Sequence, residues 1–109
     1  MIPGLPDDKR RKIAGVLAEF PQVEAAILYG SRAKGTHRRG SDIDLTLVGE
    51  GLDTSLLNAI AVRLDDLLLP EFIDLSSYAH LDNPGLRAHI GRVGREVYRR
   101  EAPSPSAPS

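Results

Sequence analysis

The sequence predicts an α+β domain in two layers (α/β two-layer), a few short strands forming a sheet with amphipathic helices laid on it. Two observations support this. Apolar residues recur at helical spacing around Ile13–Phe20, Leu56–Leu68 and Leu86–Val93. Between them lie short runs of branched and aliphatic residues, separated by Pro21, Gly49-Glu-Gly51, Pro70 and Gly94.

Taken in order, Pro6-Asp7-Asp8 opens a first helix, its acidic residues near the positive end of the helix dipole, and Pro21 closes it. Strands follow at 23–29 and 42–48, joined by a basic loop. Asp53 or Thr54 caps a second long helix reaching about Leu68. A third strand is expected at 72–76 and a third helix opens at Asn83-Pro84, with Asn83 as cap and Pro84 in the first turn. Gly94 ends that helix, and Glu96-Val-Tyr98 forms a short edge strand. The 109 residues suffice for one small core, assigned to residues 1–101. Residues 102–109, almost entirely Pro, Ser and Ala, read as a disordered tail.

The chemistry concentrates between Leu28 and Leu45. In Asp42-Ile-Asp-Leu-Thr-Leu-Val48, alternation along a strand puts Asp42 and Asp44 on one face, with Ile43 and Leu45 on the other. Two adjacent carboxylates repel and raise each other's pKa, a conflict that a divalent cation removes, and hard oxygen ligands suit Mg2+ or Mn2+. Asp-x-Asp alone is a common three-residue pattern, so its context decides. Upstream, the run Glu24-Ala-Ala-Ile-Leu-Tyr29 stops at Gly30-Ser31, a strand-to-helix turn. There Gly30 permits close backbone approach, Ser31 can cap a short helix, and exposed N–H groups suit phosphate. A P-loop reading of Gly30 to Thr36 fails, because no lysine stands between Gly35 and Thr36.

Gly30-Ser-Arg-Ala-Lys-Gly35 followed by Ser41-Asp-Ile-Asp-Leu45 resembles the signature of the polymerase-β-type nucleotidyltransferases, and is most similar to the minimal MntA-like antitoxin family. A weaker similarity extends to Ile73-Asp74-Leu75 and Asn83-Pro-Gly-Leu-Arg87. The resemblance implies a polymerase-β-like fold, a small mixed β-sheet with helices packed on one face. It implies that Asp42, Asp44 and Asp74 are the catalytic and metal-holding residues for two Mg2+ ions, with Mn2+ able to substitute, and that Gly30 and Ser31 bind the phosphates of ATP or another nucleoside triphosphate. Arg32 or Lys34 neutralises phosphate charge, and the spacing does not choose between them. The implied activity is transfer of AMP to a hydroxyl, in such systems a tyrosine of a partner HEPN-domain toxin. The alternative from another class is a non-catalytic nucleotide-binding or toxin-masking subunit.

Composition bounds the rest. A net charge of −1 gives no global field for nucleic acid, so no direct nucleic-acid binding is expected. Lys9-Arg-Arg-Lys12 reads as a solvated face, as do Asp65 and Asp66. With no cysteine there is no disulfide framework or thiolate site. No apolar run approaches membrane-span length and no signal-peptide core is visible, so a soluble cytoplasmic protein is expected. His37, His80 and His89 lack the spacing of a zinc site and are read as surface or capping residues.

Overall fold

A computed structural model describes residues 5–35 and 42–100. Ser41, the histidine and arginines at 37–39, and the tail at 102–109 lie outside the described residues. The order is α1 (Asp7–Leu17), β1 (Ala25–Tyr29), α2 (Gly30–Lys34), β2 (Ile43–Val48), α3 (Thr54–Asp65), β3 (Ile73–Ser77), a 3-10 turn (Tyr78–His80), α4 (Pro84–Val93) and β4 (Arg95–Arg99).

The strands form one mixed sheet in the order β3-β2-β1-β4. β1 runs antiparallel to β2 and β4, whereas β2 and β3 are parallel, their crossover made by α3. Alternation sorts the side chains. Ala26 and Leu28 of β1, with Ile43, Leu45 and Leu47 of β2, turn to one face and are all but solvent-free. Ile13, Val16 and Leu17 of α1 and Ile60 and Leu64 of α3 close over them to make the core. Each such aliphatic side chain contributes about 1.5–3 kcal/mol on burial, which outweighs the weak helix propensity of these short segments.

The mixed sheet with helices is as expected, with one departure from the single covered face. α4 lies against the other face, at β1. Gly94 explains its closeness: a Cβ there would collide with the Ile90 carbonyl oxygen and with Ile27 Cγ2 on the face of β1 opposite Leu28.

Caps and breaks act largely as read. Asp53 accepts the Leu56 N–H at 2.8 Å, and Asn83 accepts those of Gly85 and Leu86 at 2.9 and 3.2 Å. Two readings are corrected. α3 stops at Asp65 instead of reaching Leu68, because the chain turns through Leu68 at φ 55. No glycine marks that left-handed position, so the sequence carried no stop signal there. Ser31 is not a helix cap: α2 begins at Gly30, with Tyr29 in the capping position and no side-chain cap bond.

Candidate functional site

The register of the sheet builds the site. Tyr29 of β1 pairs with Asp44 of β2, and Asp44 with Asp74 of β3, so the three stand in one row on the face opposite the core. Neighbouring strands lie about 4.8 Å apart, which sets Asp44 and Asp74 side by side. Asp42, exposed, immediately precedes β2 at the same end.

This crowding has an electrostatic cost. Burial pushes the Asp44 carboxyl above the usual carboxylate range, and the negative charges of Asp74 and Asp42 push it further. Arg32 pulls the other way, as does His89 when protonated. Burial likewise raises the Tyr29 hydroxyl; a Ser76 hydrogen bond opposes this, while the charges of Asp44 and Asp74 add to it. The region is one of concentrated negative charge beside a half-buried strand end.

Gly30 completes that end. It sits at φ 76, and a Cβ on it would collide with Asp44 Oδ2, so the backbone at the turn and the carboxylate occupy space that no side chain could share. Its N–H donates to His89 Nε2 at 3.2 Å, and the His89 ring meets Tyr29 edge-on, centroids 6.4 Å apart at 81°. Ser31 follows, half-buried, in the first turn of α2.

The two candidate cations separate. Arg32 is buried, its Nη2 3.4 Å from Glu71 Oε2, and Glu71 is also ion-paired with Lys9 of α1. Lys34, at the end of α2, is exposed. Burial tends to raise the Glu71 carboxyl, but the Lys9 hydrogen bond, a bond from its own backbone and the charges of Lys9 and Arg32 hold it below its ordinary range. One Glu71 oxygen, Oε1, is buried with no hydrogen-bond partner among the described residues.

The three aspartates supply oxygen donors only, and the missing side chain of Gly30 lets the Asp44 carboxylate lie against the turn, so the residues fit a hard divalent cation in chemistry. Among the described residues no three His, Cys, Asp or Glu side chains are gathered as a ready cation cage. Asp42 and Asp74 nevertheless share an electrostatic neighbourhood with Asp44.

The histidines do not all read as expected. His80 is exposed, but His89 is half-buried and bonded into the turn. Its signal was positional: His89 falls on the same helical stripe as Leu86, Ile90 and Val93, which points inward. Tyr29 and Glu71 also escaped notice, the first as the last residue of an apolar run and the second as one acidic residue after a proline. Beside Asp74 an open groove runs between α3 and β3, lined in part by Leu57, Val62 and Phe72, the last 67% exposed.

Comparison with known proteins gives a clear relationship. Residues 11–102 match the family described as Polymerase beta, Nucleotidyltransferase. No curated protein matches the sequence. Among solved structures, a toxin-antitoxin complex with AMP-PNP is similar at a TM-score of 0.70 and 24% identity, over 84% of this chain and 74% of that one. The MntA-HepT toxin-antitoxin is similar at 0.66 and 20%, over 87% and 74%. A complex of the tri-AMPylated Shewanella oneidensis HEPN toxin with MNT antitoxin is similar at 0.64 and 20%, over 84% and 71%. At these identities the likeness establishes the fold.

Proposed function

This chain belongs to the polymerase β nucleotidyltransferase family, and from that premise we propose that it is an Mg2+-dependent transferase moving AMP from ATP to a hydroxyl acceptor. The acceptor class is a tyrosine of a partner HEPN-domain toxin, and the chain acts in the cytoplasm as its antitoxin. The observation that carries the reading is the Asp44–Asp74 pair, in register on adjacent strands beside the Gly30–Ser31 turn, with Asp44 held above its ordinary range by burial and like charge. Such a pair is unfavourable in the protein alone and becomes favourable with cations and a phosphate chain between its members. Two kinds of similar complex support it, one holding AMP-PNP and one holding an AMPylated HEPN toxin.

In this reading Asp42, Asp44 and Asp74 would hold two Mg2+ ions, or Mn2+ in their place, which would screen the charge on the triphosphate. Asp74, exposed on the edge strand, takes the proton of the acceptor hydroxyl. The acceptor oxygen forms a bond to the α-phosphorus, the bond to the bridging oxygen breaks, and pyrophosphate leaves. Gly30, its own N–H engaged by His89, contributes by letting the Asp44 carboxylate lie against the turn, and Ser31 contributes the polar contact to phosphate. Arg32, tied to Glu71, supplies a fixed positive field, while exposed Lys34 is the cation free to reach the leaving phosphates.

The test is incubation with Mg2+, α-labelled ATP and host lysate beside an Asp44→Asn control. Label on a protein band with wild type alone, assigned to tyrosine by mass spectrometry, is expected. Equal labelling by the control at matched circular dichroism would sink the assignment of Asp44. No label despite Mg·ATP binding would favour the non-catalytic masking subunit.

A further inference from the structure

We propose that His89 is a positioning residue for the Gly30–Ser31 turn, holding that backbone in its nucleotide-receiving shape from α4. The inference deepens the nucleotidyltransferase reading and rests on it. Two contacts converge on one imidazole, and a third observation fixes the helix that carries it. Nε2 accepts the Gly30 N–H at 3.2 Å, the ring edge packs on Tyr29, and the neighbouring Ile90 anchors α4 in the protein interior. The bond fixes the tautomer, because an Nε2 that accepts leaves the ring proton on Nδ1.

The geometry makes the bond matter more than an ordinary surface contact. Gly30 stands at positive φ, a conformation that glycine leaves easily, and it lies directly against the Asp44 carboxylate. Rotation of the Tyr29–Gly30 peptide would carry the turn toward or away from Asp44. His89 opposes that rotation by holding the N–H from outside the turn, while Tyr29 braces the ring and forms the row with Asp44 and Asp74. α4 thus controls a loop 59 positions away in sequence.

The experiment compares wild type, His89→Phe and His89→Gln. Phenylalanine keeps the aromatic contact and removes the acceptor; glutamine can return an acceptor near the place of Nε2. Two readouts are taken: affinity for Mg·AMP-PNP by calorimetry, and the amide resonance of Gly30 by NMR. His89→Phe is expected to weaken affinity about three- to tenfold, the range of one hydrogen bond, and to shift the Gly30 amide. His89→Gln is expected to recover most of both. Wild-type affinity and an unmoved Gly30 amide in His89→Phe would overturn the proposal. So would equal loss in both variants, which would mark a packing role only. Failure of wild type itself to bind Mg·AMP-PNP would sink the reading of function and this role with it, an outcome distinct from either of these.

Discussion

At Asp44, position on the inner strand and proximity to two other carboxylates act in the same direction, and both oppose ionisation. A folded-state pKa above the unfolded one means that the fold binds the proton more tightly than the open chain does. The associated stability is present in acid and lost as pH rises through the folded value. Asp44→Asn removes the repulsion without removing volume. We therefore expect the metal-free variant to melt above wild type at pH 8, by about 1–3 °C, since partial exposure screens the effect to under about 1 kcal/mol. The difference should shrink in acid. Added Mg2+ should raise the wild-type Tm and leave the variant unmoved. A variant that melts below wild type at pH 8 without metal would contradict this account.

Among the elements, the link from α1 through the chain before β3 to α2 depends on Glu71. Its carboxylate meets both Lys9 and the buried Arg32, so a neutral amide in its place weakens the pairing of two cations at once. Glu71→Gln is expected to cost about 1–2 kcal/mol in urea unfolding at pH 7. Because the Glu71 pKa is held down in the fold, its contribution is present above the ordinary glutamate range and is lost as pH falls through the folded value. The cost of the substitution should therefore diminish below about pH 4. A constant cost from pH 7 to pH 3 would mean that charge is not its source.

The elements also define what could be read beforehand. Helices α1, α3 and α4 and all four strands were legible, because period, Pro and Gly breaks and the Asp53 and Asn83 caps agreed. The row of Asp44 and Asp74 was legible only as a pairing of motifs, since strand order and register depend on long-range contacts that no local pattern encodes. The end of α3 was hidden by Leu68 taking a turn conformation without glycine. That Arg32 is buried against Glu71 while Lys34 is exposed was not legible, because the Arg32–Glu71 contact is tertiary. His89 was missed for a similar reason: a lone histidine on an apolar stripe gives no hint of the amide it meets 59 positions away.

At the scale of the whole molecule, the core shared by α1, α3, β1 and β2 carries the stability, and the carboxylates stand on its far side. β1 and β2 are each paired on both edges, whereas β3 has one strand neighbour and leans on α3. Amide exchange at Ile73–Ser77 should accordingly be faster than at Leu28 or Leu45. Uniform protection across the three strands would refute this ordering.

That asymmetry sets how the protein would fail. One carboxylate rides on a strand paired on both edges and the other on the sheet's border, so the two part company when the border loosens, while the interior is still intact. Gentle heating or low urea would then separate Asp44 from Asp74 reversibly before the core unravels.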